Sequence, residues 1–140
     1  MPWRYVFLLG FEGQRSLQTY ERFEPKYVSA LIGKPGYWPN YEGVARSKNA
    51  GFIKLASPKI ICANAGDAVE TWARLEKHLG DMGGGANTCI VPLGTKPHAL
   101  GGGLAALSSG TIGVQYLMPS SFNVRDVKRG KYLWLYKVQM

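Results

Sequence analysis

Apolar runs of β-type residues alternate along this chain with segments whose apolar residues recur at helical spacing. No other feature constrains the fold as much. A run that is apolar at every position reads as a strand covered on both faces, and such strands separated by helices build βαβ units around a parallel sheet. The first strand is expected at residues 5–9 (YVFLL), followed by the turn Gly10-Phe11-Glu12-Gly13. A helix over 14–23 then places Leu17, Tyr20 and Phe23 on one face, and Pro25 ends it. The second strand is expected at 27–32, before a loop over 33–41 and a weakly patterned helix over 42–54 with Gly51 inside it. Pro58 marks the next break, and the third strand covers 59–63.

The helix that follows has the strongest signal. Asp67 reads as its N-cap, Glu70 completes a capping-box pattern, and Ala68, Trp72, Leu75 and Leu79 repeat at helical spacing up to a stop at Gly80. A fourth strand over 88–93 leads into a helix from about Pro97 to Leu107, with Leu100, Leu104 and Leu107 turned to the sheet. Gly101, Gly102 and Gly103 inside it each cost about 1 kcal/mol relative to alanine. They make sense if this helix lies close against the sheet or a second subunit. A fifth strand is expected at 112–117, and the alternating Tyr, Leu and Trp of 132–138 favour a terminal strand at the sheet edge. The expected architecture is α/β: a three-layer, Rossmann-like, mostly parallel sheet of about six strands with helices on both faces, in one domain over 1–140.

With 46% apolar residues in 140, the core needs no metal or disulfide staple. No run of 18 apolar residues predicts a membrane span, and the N-terminal MPWRY lacks the pattern of a signal peptide, so a cytoplasmic protein is expected. Cys62 and Cys89 sit in the apolar runs IICA and TCIV and read as buried core thiols. No Cys/His cluster has metal-ligand spacing, and no metal or other cofactor is expected. Seventeen Lys and Arg against nine acids give a formal charge of +8, which favours phosphates, nucleotides, nucleic acid or an acidic protein surface as partners.

In an open α/β sheet, ligands bind outside the carboxyl ends of the strands where the strand order reverses, commonly between the first and fourth strands. The loop leaving the first strand is Gly10-Phe11-Glu12-Gly13-Gln14-Arg15-Ser16. Its glycines let the backbone approach a ligand, the helix start offers free N–H groups to an anion, Arg15 suits phosphate, and Ser16 adds a hydroxyl. Glu12 suits a ribose hydroxyl, a base edge or proton transfer. This G-x-x-G pattern is shorter than the dinucleotide fingerprint G-x-G-x-x-G. The loop leaving the fourth strand is Gly94-Thr95-Lys96-Pro97-His98. A lysine at a helix N-terminus opposes the helix dipole and is best tolerated where an anion fills the site. Thr95 serves as cap or phosphate ligand, and His98 as ligand contact, acid/base or packed core residue.

The stretch IVPLGTKPHALGGGLAAL resembles the motif of CRISPR-associated Rossmann-fold (CARF) domains, in which a strand enters a Gly-Thr-Lys-Pro-type turn and a small-residue helix. The related SAVED domains of antiphage systems are similar in architecture. The resemblance covers about a fifth of the chain at motif level, on Gly94, Thr95, Lys96 and Pro97. It implies a cyclic oligonucleotide ligand over the carboxyl ends of the strands, usually across a two-fold dimer. Members usually carry a separate effector domain, for which this chain has no room. A stand-alone sensor, a ligand-degrading enzyme or a subunit of a larger defence complex is therefore expected.

Two further segments bear on function. Tyr37 and Trp38, in the loop after the second strand, suit stacking on a base and equally a folded-down lid or a partner contact. Arg125, Lys128, Arg129 and Lys131 precede the aromatic terminal strand and either bind nucleic acid or protect the sheet edge. Neither Gly-x-Ser-x-Gly nor the Walker sequence occurs. For an enzyme, Glu12 and His98 are the candidate acid/base pair, acting on a phosphodiester. Three readings follow: a binding module for an anionic nucleotide, a phosphodiesterase cleaving one, and a partner-docking or nucleic-acid-binding subunit whose crevice is vestigial.

Overall fold

The structure, a computed structural model, describes residues 1–116 and Lys137. Side chains of the first strand, β1 (Trp3–Leu8), alternate between two cores. Tyr5, Phe7 and the following Leu9 enter one, and Val6 and Leu8 the other. This period of two in an uninterrupted apolar run is what a sheet covered on both faces requires. β2 (Tyr27–Gly33), β3 (Lys59–Ala63), β4 (Asn87–Pro92) and β5 (Ile112–Val114) join it in the order β3-β2-β1-β4-β5, all parallel.

The chain moves outward from β1 to β3, then crosses back to β4 and β5, so the order reverses between β1 and β4. Right-handed crossovers then put the helices before β3 on one face and those after it on the other. On the first face lie α1 (Gly13–Phe23), α2 (Tyr41–Lys48) and α3 (Ala50–Ala56), which bring Leu17, Tyr20, Ala45 and Phe52 against Phe7 and Ile32. On the second lie α4 (Ala68–Met82) and α5 (Lys96–Ser109), which bring Trp72, Leu75, Leu79 and Ala105 against Val6, Leu8 and Ile90. The three-layer, Rossmann-like α/β fold is thus as the alternation predicts, with five strands among the described residues. The sixth strand expected at 132–138 and the basic segment with Arg125, Lys128, Arg129 and Lys131 lie outside the described residues, apart from Lys137. No helix among the described residues is long and apolar enough to cross a membrane.

Five local expectations are corrected. The helix predicted over 42–54 is two helices, because Asn49 between them turns its side chain inward to bond backbone carbonyls. α4 runs past Gly80 and stops at Gly83, whose φ of 71° suits glycine. The capping box is half formed. Asp67 Oδ1 accepts from Glu70 N at 2.9 Å, but the Glu70 carboxylate accepts from Asn64 N at 2.7 Å. In α5, Leu104 is buried while Leu100 and Leu107 are 38% and 64% exposed. The inward positions belong to glycine instead. A Cβ on Gly101 would sit 2.6 Å from Thr71 Cβ of α4, and one on Gly102 3.0 Å from Leu8 Cδ1 of β1. These two glycines are consumed by packing within the chain and need no second subunit. The two cysteines are free, on β3 and β4 with two strands between them, and only Cys89 is buried; Cys62 on the sheet edge is half-buried.

Candidate functional site

The loops that leave β1 and β4 touch. A Cβ on Gly10 would lie 2.6 Å from Leu93 O and 3.1 Å from Gly94 Cα, and one on Gly94 3.0 Å from Leu9 O. Gly10 therefore has no room for a Cβ and Gly94 very little, and the starts of α1 and α5 flank the reversal point from opposite faces of the sheet. The glycines of the first loop bring its backbone close to protein rather than leaving it open. Gly13 likewise has no room for a Cβ against Lys48 O, at the end of α2.

Neither helix start carries an acid in its first turn. No side chain caps α1, whose N-cap is Glu12, and Glu12 O accepts from Arg15 N and Ser16 N at 3.0 and 3.3 Å. The side chain of Glu12 instead pairs with Arg15 at 3.4 Å, both at the surface. Ser16 is buried and donates to Asn49 Oδ1 at 2.9 Å, while Asn49 Nδ2 donates to Gly10 O at 2.7 Å. Ser16 thus braces the loop from inside. Asn49, which the sequence reading passed over, is the strut that sets the position of Gly10. Its signal was an asparagine inside a helical pattern, a residue type that competes for backbone bonds.

At α5, Thr95 is the N-cap: its hydroxyl accepts from His98 N at 3.2 Å and donates to Ala65 O at 2.7 Å. Lys96 is exposed, and among the described residues no carboxylate pairs with it. His98 is fully buried. Its Nε2 lies 3.3 Å from Ala63 O and 3.1 Å from Asn64 O, and carbonyls only accept, so Nε2 carries the proton. Burial lowers its pKa, against the opposing effect of those two carbonyls. His98 is therefore a neutral pin between α5 and the loop after β3, and it does not share a surface with Glu12.

The loop after β2 arrives at the same end. Tyr37 OH donates to Ala65 O at 3.1 Å, the carbonyl that also accepts from Thr95. Phe11 of the first loop packs against Trp38 and Tyr41, with ring centroids 5.7 and 5.0 Å apart. Tyr41 is buried, and burial, then the neighbouring Tyr37, raises its pKa. Tyr37 and Trp38 remain 47% and 48% exposed, so both offer ring surface to solvent. A cavity of about 530 Å³ opens in this loop, lined by Lys34, Tyr37, Trp38 and Asn40 among others. Glu42 closes its side, paired with Lys34 at 3.3 Å and Arg46 at 3.0 Å, and those bonds, Arg46's first, lower its pKa. Neither Arg15 nor Lys96 lines this cavity. Among the described residues, no group of three or more His, Cys, Asp or Glu is placed to hold a metal ion.

The carboxyl end of the sheet thus brings together two helix starts, the unpaired Lys96, Arg15 with the Glu12 carboxylate upon it, and an exposed aromatic pair. Such a surface suits a ligand with an anionic part and a flat part. No protein family matches the chain, and no curated protein matches it.

Proposed function

We propose that this chain binds an anionic nucleotide across the reversal point, with phosphate at the starts of α1 and α5 and the base against Tyr37 and Trp38. The observation that carries this reading is the backbone contact of Gly10 with Gly94, which sets an uncapped α1 beside an α5 start bearing the unpaired Lys96. Free N–H groups and cations at a helix start are what phosphate recognition uses. The Gly94-Thr95-Lys96-Pro97 resemblance to CARF domains makes a cyclic oligonucleotide the ligand class to try first, with the protein acting as a sensor or as one subunit of an antiphage assembly. Binding without cleavage is the favoured form, because the buried, pinned His98 leaves Glu12 without its partner acid/base.

A thermal-shift screen of nucleotides and cyclic oligoadenylates tests the reading, since a ligand that binds the folded state raises the melting temperature by mass action. Lys96→Ala and Arg15→Ala are each expected to weaken the hit by about 1–3 kcal/mol in calorimetry, the range of hydrogen bonds to charged groups. Unchanged affinity in both variants rejects the site. Recovery of intact ligand after incubation is the expected result; a cleaved product would restore the phosphodiesterase reading.

A further inference from the structure

At the opposite, amino end of the sheet, Arg4 is 5% exposed although it is a cation. It stands in β1 directly across from Thr88 of β4, which in turn stands across from Ile112 of β5. The alternation that sends Val6 and Leu8 toward α4 and α5 sends Arg4 the same way. There the guanidinium meets the end of α4, with Nη1 3.4 Å from Gly83 O and Nη2 3.4 Å from Met82 O. Both bonds are longer than the usual 2.7–3.2 Å range for such donors. Nε is buried and, among the described residues, has no partner. Among the described residues, no carboxylate pairs with Arg4; the Asp81 carboxylate beside this helix end pairs with Lys77 at 3.7 Å. The ring of Tyr27, 5.9 Å from the guanidinium carbon, is a weak substitute for a counter-ion.

A buried charge without a counter-ion is costly, and this one lines a cavity. The cavity measures about 330 Å³, with Leu79, Ala86 and Ile112 as apolar wall and Thr88, Ser109 and Thr111 as hydroxyl wall. That volume is near the lower end of small-molecule sites, roughly 300–1,000 Å³. The Ser109 and Thr111 hydroxyls bond each other at 2.8 Å. Either can be the donor, so one keeps a free proton for an acceptor. Among the described residues that line it, Arg4 is the only cation. One positive charge balances a monoanion and leaves a phosphate dianion half uncompensated. The apolar wall favours a ligand with a hydrocarbon body.

From this we infer that the amino end of the sheet holds a second site, separate from the nucleotide surface, for a small monocarboxylate with an apolar body. Its carboxylate lies on the Arg4 guanidinium and the Thr88 hydroxyl, and its body lies between Leu79 and Ile112. The test is titration of the ¹⁵N-labelled full chain with sodium benzoate and sodium isovalerate at fixed ionic strength, with sodium chloride and inorganic phosphate as parallel arms. Saturable shifts at Gly83, Gly84, Thr88 and Thr111 are expected with the carboxylates and not with chloride or phosphate. Arg4→Met is expected to weaken benzoate at least ten-fold. Thr88→Val, which keeps the charge, is expected to weaken it several-fold and covers the case in which the Arg4 variant does not fold. The inference is overturned by no saturable shift, by equal response to chloride or phosphate, or by unchanged benzoate affinity in a folded Arg4→Met or Thr88→Val.

Discussion

Asn49 shows how much a single side chain decides at this surface. Its amide donates to Gly10 O and Ala45 O at 2.7 and 2.8 Å and its carbonyl accepts from Ser16. Replacement by alanine strands a buried hydroxyl and a buried carbonyl at once. Asn49→Ala is expected to cost about 2–3 kcal/mol in urea unfolding, since each unsatisfied buried group costs about 1–3 kcal/mol. Asn49→Asp, which keeps the acceptor and loses the donor, should lose a comparable amount. A loss under 0.5 kcal/mol in both would mean the strut is not under load. Ser16 was legible only as a polar residue after a glycine turn. That its hydroxyl points inward depended on Asn49, 33 positions away.

Among the elements, α5 is where pattern reading and packing diverge. Its spacing of leucines suggested the buried face, but the helix lies so close to α4 and the sheet that glycine occupies it. Two substitutions separate contact from propensity. Gly101→Ala forces a methyl toward Thr71 and the Ala68 carbonyl. It should destabilise by about 1–3 kcal/mol, as overpacked cores do, despite the gain in helix propensity. Gly103→Ala meets nothing within 4 Å among the described residues and should stabilise by up to about 1 kcal/mol. Melting curves of the two variants should therefore move in opposite directions; a shift of the same sign in both would contradict the close packing of α5. The α2–α3 break belongs to this scale too, because it was set by a tertiary bond and not by the Gly51 that the pattern singled out.

Across the whole molecule, the two histidines couple stability to pH. His78, bonded to Ser29 Oγ at 2.7 Å, and His98 are both buried, and burial is the first cause of both lowered pKa values. For His78, the nearby Lys59 and Arg4 lower it further. Below the ordinary histidine value near 6.5, the unfolded chain takes up protons that the folded chain resists. Stability is therefore full above that value and falls as pH drops through it, by at most about 1.4 kcal/mol per pH unit for each histidine. Urea midpoints between pH 8 and pH 5 should show the fall. His98→Gln should reduce the slope by up to one proton's worth. An unchanged slope in His98→Gln would place the titration elsewhere.

The sequence by itself determined the sheet, the alternation of helices and the reversal point, because strand and helix periodicities are local properties and right-handed crossovers admit few arrangements. It also located the two loops that meet at Gly10 and Gly94, since glycine at both strand ends is a local signal. Tertiary structure alone decided which polar groups in those loops stay available. Thr95 capping α5, Ser16 turned to Asn49 and His98 pinned to Ala63 and Asn64 all depend on partners distant in the chain or on the burial they create. Arg4 is the clearest case. One charged residue at the head of an apolar strand has no local mark of burial, and only the closure of α4 over the amino end of the sheet removed it from water.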